Sequence, residues 1–345
     1  LQLKIHFILH LYILRWEILF MRCYNCETEL TDANRSEEHI INNALGGHLT
    51  SHELLCKPCN DRFGHGIDSD IEKQIGQVTD LLGIKRHREN KDRKIRIEMI
   101  SDTGIVKVVG KNMEPWHELS LDTGDKKVVL FESEANYEIL KNRKKKELSK
   151  KFKVEDEEYI REPDKTKYRI KNSLSDAEGN TWFGGPEFFR AAAKMCLNYY
   201  LSKGYDLSYC QDVTAYIKGE KKFNDIGYFY YPKHYVIHDL GDQEVSHIIH
   251  IKGDTYYKLL YAYIELFNAH NAVIIFSLNY EGDPIDDTYA YDLLEGKEMT
   301  KAIKMWLPRH HLEIMALIAK EVGPEHVRKF NRLERIIEKR QLHQP

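Results

Sequence analysis

Two cysteine pairs carry the clearest chemical signal in this sequence. Cys23 and Cys26 form one C-x-x-C, Cys56 and Cys59 form a second, and Ser36-Glu37-Glu38-His39-Ile40-Ile41 lies between them. The turn inside such a pair aims both sulfurs at one point, so two pairs supply the four-thiolate cage that structural Zn²⁺ prefers. Two disulfides are the competing reading, but paired knuckles within one short segment favour a metal. Glu38 and His39 are neighbours on an expected strand, so their side chains leave on opposite faces. A carboxylate can then hold a cation while an imidazole, with its ordinary pKa near about 6.5, takes a proton from water. Phosphodiester hydrolysis uses such parts: a deprotonated water, a cation on the developing charge, and help for the leaving oxygen.

The runs Glu38-His39-Ile40-Ile41, Leu45-Gly46-Gly47 and Leu54-Leu55-Cys56-Lys57-Pro58-Cys59-Asn60-Asp61-Arg62-Phe63-Gly64 together resemble the HNH endonuclease family. The resemblance is closest to its zinc-stapled members and covers roughly residues 23 to 75. It implies a β-hairpin followed by a helix, with one catalytic divalent metal in the crook. It implies His39 as general base, with Glu38 and Asn60 as ligands of a hard ion, Mg²⁺ or Mn²⁺. The implied partner is a nucleic acid, DNA first. Family modules of this size are often carried in bacterial and phage defence or mobile-element proteins. Two positions depart from the family pattern. Asn42 stands where many members have Pro, and the middle Asn falls by spacing on Ser51, for which Asn43 or Thr50 could substitute. Asp61, His65 and Asp68 follow on the helix side as further polar candidates. The rival function is a zinc module that binds DNA or protein without cutting, joined to a C-terminal sensor domain.

Such a module needs help to hold its shape. About 55 residues bury little apolar surface, and a structural zinc can add on the order of 10 kcal/mol of folding free energy. The zinc is expected to pin the strand over 36–41 against a helix beginning near Asn60.

The chain has 345 residues, 42% of them hydrophobic, enough for two or three domains. Beyond the four knuckle cysteines, Cys196 and Cys210 read as buried thiols, and no disulfide framework is implied, which fits a reducing cytoplasm. The net charge of −3 excludes a globally basic nucleic-acid binder, so phosphate contacts must come from local patches. Lys85, Arg86, Arg88, Lys91, Arg93, Lys94 and Arg96 form the favoured patch, because they follow the nuclease helix. A second basic run over 141–153 is balanced by Glu155 to Glu158 and reads as a solvated face. Residues 1–20 are apolar but interrupted by Lys4, His6, His10, Arg15 and Glu17, which argues against a spanning helix. Met21 stands directly before Arg22-Cys23, so residues 1–20 read as upstream sequence from a misassigned start; a membrane anchor is the alternative.

The fold class expected is α+β: a zinc-stapled ββα module followed by a larger mixed α/β C-terminal region. The expected division is 1–20, a nuclease module over 21–84, a basic linker and small β/α region over 85–175, and a C-terminal α/β domain over 176–345. Apolar spacing predicts helices over 68–82, 134–151, 188–200, 255–267, 310–320 and 324–340. Strands are expected at 95–100, 104–109, 127–131, 228–231, 235–238, 246–251 and 272–278, with 290–293 pairing to the last. His234, His238, His247 and His250 invite a second metal site, but their spacing favours core and turn positions.

Overall fold

The computed structural model describes residues 21–88, residues 184–342 except 222–225, 234–235 and 319–323, and five strands between 96 and 159 by their backbone. The expectations for residues 1–20, for the helix over 134–151 and for Lys91, Arg93, Lys94 and His234 lie outside the described residues. The described parts of 1–88 and 183–345 form one compact unit, and those of 89–182 form a second. The first unit is therefore assembled from both ends of the chain.

At its N-terminal end, strands β1 (Glu38–His39) and β2 (Thr50–Ser51) pair antiparallel, with Glu38 opposite Ser51 and His39 opposite Thr50. The connection turns on Asn42, whose side chain accepts from the Ala44 amide at 2.7 Å. Gly46 follows at φ +85, a left-handed conformation that glycine adopts without a Cβ penalty. Helix α1 (Lys57–Phe63) begins on Cys56 with Pro58 in its first turn, where proline's missing N–H is harmless. A wider π-helical turn, Gly64–Asp68, leads into α2 (Ser69–Ile75) and α3 (Gln77–Leu81). The expected apolar stripe of Ile71, Ile75, Val78 and Leu82 is buried.

In the second unit, β3 (Arg96–Ser101) and β4 (Gly104–Val109) form a hairpin. Strands β5 (Trp116–Asp122), β6 (Lys127–Ser133) and β7 (Asp156–Tyr159) form an antiparallel sheet in the order β6-β5-β7.

The C-terminal part opens with α4 (Gly185–Ser202) and α5 (Gln211–Lys218). Strands β8 (Gly227–Phe229), β9 (Ser246–Asp254), β10 (Leu259–Leu266), β11 (His270–Ser277), β12 (Ile285–Asp292) and β13 (Lys297–Glu298) form one antiparallel sheet, ordered β13-β12-β9-β10-β11-β8. Helices α6 (Arg309–Ile318) and α7 (Pro324–Leu342) close the chain.

Three sequence expectations fail here for physical reasons. The helix expected over 255–267 is strand β10, entered after Lys258 at φ +55 and left through Phe267 and Asn268, both in the left-handed region. Every residue of β10 is buried, at most 1% exposed, because both sheet faces are covered. Its apolar run therefore carries no period that separates strand from helix. Residues 290–292 belong to β12, which pairs with β9 and β13 rather than with β11, and Leu293 is already in the turn that follows. Residues 236–238 are not in a strand.

Helix α4 is the central element. It packs on β9, β10 and β11, and also on α2 and the π-helical turn. All residues from Ala191 to Tyr200 are buried, as expected for a helix covered on every side. Two of them, Lys194 and Asn198, are polar and stand four apart, on one face.

Candidate active site and metal centre

The four knuckle cysteines meet at one point. One ligand atom from each of Cys23, Cys26, Cys56 and Cys59 lies within 4.8 Å of all the others. The first knuckle closes through Cys23, which donates to Thr28 O at 2.9 Å, and through Glu27, held at φ +60. The second rides on the N-terminus of α1, with Cys59 N donating to Cys56 O at 3.1 Å. Backbone bonds from Tyr24 to Leu54 and from Ser36 to Leu55 tie the knuckles together and anchor the segment entering β1. Asn25 and Arg62 donate to Cys59 Sγ at 3.0 and 3.3 Å. Such donors are the outer-shell support that thiolate ligands use. Burial pushes the Cys56 thiol up to about 12 and raises Cys23, while a hydrogen bond with Thr28 draws Cys26 down to about 6. Four sulfurs this close suit one cation of zinc's tetrahedral chemistry, with no further donor needed. Among the described residues this is the one such cluster of cysteine, histidine and acidic ligands.

The strand alternation separates Glu38 and His39 as expected, and the two environments differ sharply. Glu38 is buried, 3% exposed. Its Oε1 accepts from Lys194 Nζ and, at 2.8 Å, from Asn198 Nδ2. Lys194, 2% exposed, also reaches both oxygens of Asp68 at 3.0 Å. Burial works against the Lys194 charge, but Asp68 and Glu38 outweigh it and hold the ammonium well above the usual lysine value. Burial raises the Glu38 carboxyl, with Lys194 opposing and Asp68 adding to the shift.

His39 faces the other way and is half-buried. Its Nε2 lies 3.2 Å from His87 Nδ1, and the two rings meet edge to face at 5.3 Å. Asn43 brings His87 there by clamping the backbone of Arg88 at both N and O, at 3.0 and 3.1 Å. Arg88 in turn pairs with Glu37, whose carboxylate also accepts from Thr50 Oγ1 at 3.3 Å. Burial first, then Arg88 and His87, lower His39 to about 4, so its imidazole is neutral at neutral pH. A neutral imidazole is the form that can accept a proton.

Asn60 sits in α1 close to this hairpin. Its Nδ2 donates to Ser36 Oγ at 2.6 Å and to Glu37 O at 3.2 Å, leaving Oδ1 as the atom that would meet a cation. Of the positions considered for the middle Asn, Ser51 accepts from Glu53 N, Thr50 bonds Glu37, and Asn43 holds Arg88. Asp61 pairs with Lys57 at the surface, His65 is exposed, and Asp68 binds Lys194. In the basic run, Lys85 and Arg88 are exposed, whereas Arg86 is drawn inward onto Asp80 at 2.6 Å. Arg96 lies in β3, in the other unit. Of the histidines that invite a second metal site, the three described ones are core groups: His238 bonds Glu265, His247 bonds Leu45 O, and His250 bonds Thr288. Cys196 and Cys210 are buried free thiols.

Lys194, Asn198 and His87 were not anticipated. For the first two a signal was present: a lysine and an asparagine four apart inside Ala-Ala-Ala-Lys-Met-Cys-Leu-Asn-Tyr-Tyr. A buried lysine in such a run needs a carboxylate partner. His87 carries no such signal, because contacts from distant residues, the Asn43 clamp and the Arg88–Glu37 pair among them, bring it to His39.

A paired-knuckle cysteine cluster stapling a small ββα-like region, with a histidine presented at the hairpin, defines the class of module. Residues 23–75 match the family model of the HNH endonucleases. No curated protein and no solved structure matches the chain. The family match points to a nuclease-type hydrolase acting on nucleic acid and covers the cysteine-knuckle segment and α1–α2.

Proposed function

We propose that the module cleaves nucleic-acid phosphodiester bonds, with His39 as general base. The observation that carries this is the placement of His39: an imidazole on the hairpin, beside His87 and opposite Thr50, inside the family-matched segment. The backbone holds it through β1 and β2, and the zinc knuckles hold the strand entry. Arg88, near enough to act on His39 although paired with Glu37, and the exposed Lys85 of the same run are basic groups that could meet a phosphate backbone. DNA is the first substrate to test.

The four-cysteine cluster fits a structural Zn²⁺, held by Cys23, Cys26, Cys56 and Cys59. The catalytic Mg²⁺ or Mn²⁺ expected on Glu38 and Asn60 fits less well. Lys194 already neutralises Glu38 on the buried side of the strand, so a cation there would have to displace the ammonium. The parts of the reaction that the described residues supply are the His39 imidazole and the backbone that holds it. The Lys194–Glu38 pair favours a second reading, a zinc module that binds nucleic acid without cutting.

One experiment separates the readings. Purified protein is incubated with supercoiled plasmid and with RNA, with and without Mg²⁺ or Mn²⁺. Nicking that rises with protein concentration supports the nuclease. Retarded but intact nucleic acid under every condition supports the binding module instead.

A further inference from the structure

We propose that Lys194 is a positioning residue of the nuclease module, through which the central helix of the C-terminal part sets the placement of His39. The inference rests on reading His39 as the base, and it changes the part assigned to its neighbour Glu38, from metal ligand to anchor.

Strands β1 and β2 are two residues each, too short a ladder to fix a side chain without help from packing. The support comes from α4. Lys194 joins Glu38 of β1 to Asp68 of the π-helical turn. One helical turn later, Asn198 donates to Glu38 Oε1 at 2.8 Å and to the carbonyl of His39 at 3.4 Å. Asn198 is itself oriented by Tyr24 of the first zinc knuckle, whose hydroxyl donates to its Oδ1 at 3.0 Å. The Asp68 backbone carbonyl accepts from Asn42, just beyond β1, at 3.1 Å. Four segments therefore converge on the backbone that carries His39: the knuckle, the hairpin, the π-helical turn and α4.

The alternation of the strand makes this a lever. With the Glu38 side chain locked inward, His39 must point outward. If the lock is released, the two-residue strand can shift or turn. The hydrogen bonds of Lys194 and Asn198 go to Glu38, Asp68 and the His39 carbonyl, so they act on the placement of the ring through Glu38 and the backbone, while burial first, and the Lys194 charge in lesser part, lower the His39 pKa.

A purely structural staple would make a different prediction, and so would a metal-ligand role for Glu38. In Lys194→Met, the buried Glu38 carboxyl keeps the Asn198 amide but loses its countercharge, as does Asp68. The positioning account expects the fraction that stays folded and zinc-loaded to lose kcat by about a hundredfold at little-changed KM, the scale of a misplacement near 1 Å. In Lys194→Met with Glu38→Gln the unpaired charge at position 38 is gone, Asp68 is left to the solvent that its partly exposed side chain reaches, and the neutral amide can still accept from Asn198, so β1 keeps that anchor and kcat should recover by about tenfold or more over Lys194→Met. The imidazole resonance of His39, identified by its loss in His39→Gln, should move in Lys194→Met and return in the double variant.

The outcomes are separable. Wild-type kcat in folded Lys194→Met overturns the proposal, leaving a staple. A double variant as inactive as Glu38→Gln alone, while wild type cleaves, overturns it in favour of a ligand role for Glu38. If wild type cleaves nothing, the proposed function fails instead, and the His39 resonance still decides: a signal unmoved by Lys194→Met refutes positioning.

Discussion

Replacing Cys56 with serine should empty the metal centre and loosen the module from the rest of the protein. Cys56 is 4% exposed and serves two structures at once, as a corner of the four-sulfur cluster and as the residue on which α1 begins. Its sulfur lies 3.6 Å from that of Cys26. A serine oxygen is shorter, harder and held as a hydroxyl at neutral pH, so three thiolates remain for an ion that prefers four ligands. A whole site of this kind is worth on the order of 10 kcal/mol of folding free energy, against a net stability of about 5–15 kcal/mol for an ordinary domain. Even a loss of about 4 kcal/mol would lower the melting midpoint by roughly 10 °C in a unit of this size. Metal analysis and thermal unfolding test this together. Wild type should carry one zinc per chain, Cys56→Ser much less with a lower midpoint, and Cys196→Ser should keep its zinc. Cys196 is equally buried but lies outside the cluster, so it controls for thiol loss alone. Full zinc in Cys56→Ser, or none in wild type, would refute the reasoning.

Other positions give independent tests. Gly47→Ala should destabilise the module beyond the ~1–3 kcal/mol usual for an overpacked methyl, because its Cβ would stand 1.8 Å from the Ile41 carbonyl oxygen; an unchanged melting midpoint would contradict the packing. Burial holds His247, His250 and His326 down to about 4. Unfolding exposes them to protonation below their ordinary value, so stability should be full above pH about 6.5 and fall toward pH 4, each adding at most about 1.4 kcal/mol per pH unit. Equal urea midpoints at pH 7.5 and 5 would rule this out. Neutralising Lys85 with Lys91, Arg93 and Lys94 should weaken binding to all nucleic-acid sequences alike and flatten its salt dependence by close to one unit of slope per lost contact. Superimposable isotherms across a salt series would remove the run from the nucleic-acid path. Arg86→Ala should instead show up in stability, because Arg86 is held inward by Asp80.

The parts of the site legible in the sequence were those encoded locally. Cysteine spacing announced the cluster, and adjacency of Glu38 and His39 announced their opposite faces. The stripe from Ile71 to Leu82 announced its helices. What stayed hidden depends on contacts across the chain. Lys194 meets Glu38 from 156 residues away, and no local pattern specifies that pairing. Strand β10 was read as a helix because burial on both faces erases the alternation that marks a half-exposed strand. Strand β7, Asp-Glu-Glu-Tyr, was hidden by its charge. Arg86 looked like a phosphate contact because sequence shows a charge but not the Asp80 that takes it.

The central claim is that His39 is the base of a nuclease rather than a bystander in a binding module. The direct measurement is single-turnover plasmid nicking by wild type and His39→Ala side by side, at protein in excess, with zinc content checked in both. The account predicts nicking by wild type and its loss by at least about a hundredfold in His39→Ala, the low end for removing a general base, with zinc content unchanged. Equal nicking by the two proteins would contradict it.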